Sequence, residues 1–191
     1  MAPARDEDRS ADERTTVVNH PNWRLPEVPA FELTSPDFRD GGILPIWARA
    51  ADAGGEDRSP TLHWTGAPRE TRSYALTVYD PDAPTGSGFW HWAVYDLPAE
   101  VESLPAGAGD PQNGRLPAGA VTLPNEYRQP RFTGAAPPAG HGEHRYVFTV
   151  SALDVPHLDV PADATPAVLG FLMREHVLAR AQLTGVQETP S

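Results

Sequence analysis

Twenty-two prolines are spread along the 191 residues of this chain. Proline lacks a backbone N–H and locks φ, so it breaks helix interiors and is shut out of central sheet ladders. That density excludes a bundle of long helices and favours short strands joined by loops. The stretches between prolines agree. Residues 73–80, 89–97 and 145–153 are rich in β-branched and aromatic side chains and almost continuously apolar, as strands buried on both faces are. Residues 31–34, 43–48 and 61–64 are shorter strand candidates. Residues 98–140, long and full of Gly and Pro, read as loops wrapped over the body or serving function.

One segment reads as a helix. Thr165 is placed to cap it and Pro166 suits its first position. Residues 167–183 are apolar apart from Arg174, Glu175, Arg180 and Gln182, and Gly185 supplies a stop. The length fits one domain. Residues 1–15 mix Asp, Glu and Arg with little to bury and read as a disordered acidic tail. Residues 16–30, with Trp23, read as an extended arm, residues 31–186 as the folded domain, and 187–191 as a C-terminal tail. The expected fold is mainly β: a two-sheet sandwich with a C-terminal α-helix and long Pro/Gly-rich loops.

Charge and composition narrow the function classes. The net charge is −11, with no lysine, which argues against a broad basic surface for nucleic acid or anionic membranes. There is no cysteine, hence no disulfide or thiolate chemistry. No apolar run is long enough to cross a membrane, and the charged N-terminus is unlike a secretory signal, so the expected location is cytoplasmic.

Polar groups gather at the rims of the three strongest strands. In Asp80-Pro81-Asp82-Ala83-Pro84, prolines hold two carboxylates at a strand end, either as a turn capping its own amides or as part of a site. Asp80 shares parity with Leu76 and Val78. His91, between Trp90 and Trp92, shares parity with Ala93 and Tyr95 and reads as a packed core histidine or a ligand contact. His144 and Tyr146 lie two apart and share a face, while Arg145 points the other way and suits an ion pair with an aspartate. His141 and His144 lack a helical register for a metal, and neither a metal nor another cofactor is expected. If these strands are neighbours, carboxylates, imidazoles and a phenol converge at one sheet end, a set suited to an oxyanion such as phosphate. No nucleophile elbow or NTPase phosphate loop is present.

These motifs resemble the phosphatidylethanolamine-binding protein (PEBP) family, in particular its bacterial, Raf kinase inhibitor-like branch. Asp80-Pro81-Asp82-Ala83-Pro84 is similar to the family's first motif, Ser59-Pro60 with Leu62 and Trp64 to its upstream segment, and Asn125-Glu126-Tyr127, Pro137-Pro138 and His144-Arg145-Tyr146 to its second region. Ala135-Ala136 departs from the Pro-Cys frequent in bacterial members. The resemblance implies a ligand pocket of Asp80, Asp82, His91, Pro138, His144 and Tyr146, with Ala83, Ala136 and Pro137 at its wall, and Pro84 and Arg145 in structural roles. It also implies a cis bond before Pro84, and hints at a homodimer. The implied function is a non-enzymatic, regulatory binding module for a phosphate-bearing small molecule, a head group or a phosphorylated protein residue. The other readings are a hydrolase with an Asp/His acid–base pair and a pure protein-interaction scaffold.

Overall fold

The computed structural model describes residues 25–191; the expected tail at 1–15 and most of the expected arm lie outside them. A three-stranded sheet, order β1-β3-β6, is built from Glu32–Thr34 (β1), Leu62–Thr65 (β3) and Ser103–Leu104 (β6). It faces a six-stranded sheet of order β2-β9-β8-β4-β5-β7. Its strands are Gly42–Ile43 (β2), Ser73–Asp80 (β4), Phe89–Pro98 (β5), Val121–Thr122 (β7), His144–Leu153 (β8) and Val177–Gln187 (β9). The expected mainly-β, two-sheet architecture is what the chain adopts.

The centre of the large sheet is apolar on both faces, as the unbroken runs in β4, β5 and β8 require. Leu76, Val78, Trp92, Val94, Phe148 and Val150 pack towards Leu33, Leu62, Trp64 and Leu104 of the small sheet. Burying each such side chain contributes roughly 1.5–3 kcal/mol. The opposite parity, with Ala75, Ala93, Tyr95 and Leu153, packs under Leu169 and Met173 of helix α1, Pro166–Met173, the one α-helix among the described residues.

Three local expectations are corrected. The helix starts as expected, with Thr165 accepting a hydrogen bond from Val168 N–H and Pro166 in the first turn, but it ends at Met173. Residues 177–187 form β9, a full-length antiparallel partner of β8. Ala179, Ala181 and Leu183 are buried while Arg180, Gln182 and Thr184 alternate with them, a period of two that sheet pairing selects over the helical reading. Second, the expected strand 43–48 stops after Ile43, and Ile46–Ala48 turns as a 3₁₀ segment behind Pro45. Third, no cis peptide occurs among the described residues, so the bond before Pro84 is trans. The turn there is closed by Asp80 Oδ1, which accepts from the N–H groups of Asp82 (2.8 Å) and Ala83 (3.0 Å).

The described part of the arm lies along β9: Ala30 bridges Arg180 in parallel, and Arg180 donates to the Pro26 carbonyl at 2.9 Å. Beyond β9, Thr189 accepts from Gly140 N–H and from the Arg49 guanidinium, which brings the chain end to the loops around β8.

Candidate functional site

At one end of the large sheet, β8, β4 and β5 lie side by side and open onto a cavity of about 490 Å³, a size usual for small-molecule sites. Val78 pairs with Phe148, and two residues further along each strand Asp80 and Tyr146 share their face. Asp80 is buried at the strand end. Its Oδ1 caps the turn and its Oδ2 accepts from His144 Nδ1–H at 2.8 Å. One carboxylate therefore does both things the sequence left open: it closes its own turn and orients a histidine.

His91 reaches the cavity through a defect in the ladder. Val78 pairs with Trp92 but Tyr79 pairs with Trp90, so β5 carries an extra residue at His91, a β-bulge. The bulge overrides the parity with Ala93 and Tyr95 and turns the imidazole to the Tyr146 side. The two rings meet edge-on with centroids 5.0 Å apart, and the Phe89 ring packs at a tilt against His91 at 4.8 Å. His91 Nδ1 lies 2.8 Å from the Thr133 carbonyl. A carbonyl can only accept, so Nδ1 carries the proton and the neutral ring has only Nε2 to offer as an acceptor. Burial pushes the His91 pKa below its ordinary value, outweighing the Thr133 carbonyl and the Asp80 charge.

Tyr146 is buried, and its hydroxyl has no hydrogen-bond partner. Burial pushes its pKa far up, helped by the charges of Asp80 and Asp82; only the Ala136 backbone and the Arg49 charge oppose this, without supplying a hydrogen bond of regular geometry. The phenol is therefore a donor at all ordinary pH values.

The far wall comes from the loops. Ala135 N–H donates to the Ala48 carbonyl, and Ala50 N–H donates back to the Ala135 carbonyl. This contact needs Gly134, since a Cβ there would stand 2.2 Å from the Arg49 carbonyl carbon. Asp57 ties the same wall, accepting from Gly134 N–H at 2.7 Å and from Ala51 N–H at 3.3 Å. At the mouth, Asn125 Oδ1 accepts from Tyr127 N–H and Gln129 N–H, and the exposed Tyr127 ring meets Phe89 edge-on at 5.0 Å.

Of the residues singled out in the sequence, Asp80, His91, Pro138, His144 and Tyr146 line the cavity, as do Ala83, Pro84 and Ala136. Asp82 and Pro137 do not. Pro137 is buried in the loop behind. Asp82 is gripped by Arg145: its Oδ2 accepts from Arg145 Nε–H (2.8 Å) and backbone N–H (2.9 Å), and its Oδ1 from Nη2 (2.7 Å). Burial raises the Asp82 pKa, but the Arg145 hydrogen bonds and charge win and hold it below the usual carboxylate range. Asp52, Asp57, Thr133 and Tyr127 are among the further lining residues that were not singled out as site residues. No local signal marks Asp52, Asp57 or Thr133, because loop closure alone brings them in; only Tyr127 lay within a quoted motif. No arginine lines the cavity, and no cluster of three or more metal-ligating side chains occurs among the described residues.

The phosphatidylethanolamine-binding protein family model matches residues 34–188. The chain belongs to this family. Among its relatives, the UPF0098 protein YbhB of Escherichia coli K12 is 43% identical over 158 residues, covering 82% of this chain and 99% of YbhB. YbcL from the same organism is 41% identical over 161 residues, covering 83% of this chain and 88% of YbcL. The crystal structure of E. coli YbcL, described as a new member of the mammalian PEBP family, superimposes with a TM-score of 0.80 at 40% identity, over 83% of this chain and 98% of that one. The structure of a carboxypeptidase Y inhibitor bound to its cognate proteinase shares the PEBP fold at a TM-score of 0.51 and 20% identity, over 84% of each chain. No helix among the described residues is long and apolar enough to cross a membrane.

Proposed function

We propose that this PEBP-family protein is a non-enzymatic binding module whose cavity takes a phosphate-bearing group, on a small molecule, a head group or a protein side chain. The observation that carries this is the Tyr146 hydroxyl, buried without a partner in a cavity it shares with His91 and His144. An unsatisfied buried donor costs about 1–3 kcal/mol, which a ligand acceptor recovers. A phosphoryl oxygen fits that need. His91 sets a condition on the same ligand. Its neutral ring accepts at Nε2, so the anion enters either with a P–OH donating there or with a proton that makes His91 a donor. Both routes take up a proton on binding at neutral pH.

Calorimetric titration with inorganic phosphate and with phosphoethanolamine tests this, at several values between about pH 5.5 and 8. Binding tightens as the pH falls, and the heat varies with buffer ionisation enthalpy. No heat at any pH, or equal affinities in the wild type, His91→Ala and Tyr146→Phe, overturns the reading.

The Asp80–His144 pair supports a second reading, acid–base hydrolysis. Against it, the cavity's threonine hydroxyls are engaged: Thr85 donates to the Gly88 carbonyl, and Thr133 accepts from Asn125. Turnover of generic phosphate or ester substrates that disappears in Asp80→Asn would favour the hydrolase.

A further inference from the structure

His141 has no part in the cavity described above, yet it holds one of its key nitrogens. It is exposed, between Gly140 and Gly142, both at positive φ (72° and 87°). Its Nδ1 lies 2.7 Å from His144 Nε2, and the two rings meet edge-on at 4.9 Å. His144 is 1% exposed and its Nδ1 is committed to Asp80. Nε2 is thus the one nitrogen His144 could present to a ligand, and His141 occupies it. The turn carrying His141 is tied on its N-terminal side, where Gly140 N–H donates to Thr189 and His141 N–H to Pro138. On its C-terminal side Gly142 borders open space, since a Cβ there would meet nothing within 4 Å.

We propose that His141 is an internal competitor for His144 Nε2, a plug that an incoming ligand displaces and that sets the affinity and selectivity of the cavity. This rests on the oxyanion reading above. Only a partner that binds Nε2–H more strongly than an imidazole nitrogen does will displace the plug. A charged oxygen meets that condition, because it sets an opposite charge against the ionised donor where the His141 nitrogen offers none, and a neutral hydroxyl or amide does not. The proton lying between the two nitrogens stays on His144, whose imidazolium faces the anion and is balanced by the Asp80 carboxylate. His141 leaves as the neutral ring it already was, its own hydrogen on Nε2. His141 is then a selectivity filter for anionic over neutral ligands.

The test is titration with inorganic phosphate at one fixed pH for the wild type, His141→Ala and His141→Phe. The phenylalanine keeps a ring over His144 but removes the hydrogen bond. Both variants are expected to bind phosphate about two- to tenfold more tightly, the range set by removing one competing hydrogen bond. In ¹⁵N spectra of the wild type, phosphate should move the His141 ring nitrogens to free-imidazole positions while the His144 Nδ1–H···Asp80 signal persists, a response a merely structural His141 would not give. Wild-type binding with equal or weaker affinity in both variants overturns the plug and leaves the cavity reading intact. Absence of binding in all three proteins overturns the cavity reading, and the plug falls with it.

Discussion

Asp80 accepts two backbone N–H groups at one oxygen and an imidazole N–H at the other, so its replacement by asparagine is not conservative. The asparagine amide would set a donor against His144 Nδ1–H. Asp80→Asn is expected to lower stability by about 1–3 kcal/mol in urea unfolding and to shift the His144 ring nitrogens in ¹⁵N spectra. His91 makes a different prediction. Its folded pKa lies below the 6.5 of a free histidine, so at mildly acidic pH the unfolded chain binds a proton that the native one refuses. Stability should therefore fall as the pH drops through about 6.5 towards the folded pKa, and His91→Gln should flatten that slope, read by chemical unfolding at several pH values. The Asp82–Arg145 pair has a third signature. A depressed carboxylate pKa gives stability that is present above about 3.9, the unfolded value, and lost as the pH falls through the folded one. Arg145→Gln should cost on the order of 1 kcal/mol at neutral pH and progressively less as the pH falls through the folded Asp82 value, a discounted figure because both side chains are partly exposed. The residue types of this cluster were legible in the sequence because each sits where an apolar run meets a proline or a glycine. The division of labour between Asp80 and Asp82 was not, since it depends on which carboxylate faces the sheet end and which faces Arg145.

The β4, β5 and β8 strands could be read almost to the residue because each is buried on both faces and bounded by breakers. β9 could not. Ala-rich chains with charges spaced along them satisfy a helical period as readily as a strand period, and what decides is the open edge of β8 waiting for a partner. The His91 bulge was invisible for a related reason: it is a mismatch between two strands, and neither contains the information alone. Two substitutions separate the elements by function. Gly134→Ala drives a Cβ into the Arg49 backbone at 2.2 Å, so it should destabilise by about 1–3 kcal/mol in thermal unfolding and weaken phosphate binding together. Leu169→Ala empties the contact between α1 and the opposite face of the sheet and should cost about 2–5 kcal/mol while leaving phosphate affinity unchanged.

At the scale of the whole molecule, the cavity is an anion site proposed on a strongly acidic protein. The chain carries −11 overall, and among the described residues the lining contains Asp52, Asp57 and Asp80 with no arginine. The long-range field therefore repels the ligand that the local donors attract, the reverse of a basic phosphate site. Raising ionic strength from about 20 to 200 mM should speed phosphate association rather than slow it, because screening removes the repulsion and leaves the short contacts intact; stopped-flow measurement decides. The charge was plain in the sequence, but its convergence on the cavity rim was not, since Asp52 and Asp57 come from a loop without a motif. The order of the large sheet has a consequence during synthesis. The early segments Pro29–Phe31 and Gly42–Ile43 both find their backbone partners on β9, made some 140 residues later. A nascent chain must carry those edges unmatched until residues 177–187 have left the ribosome, so a strand made late is the one that locks these earlier segments into place.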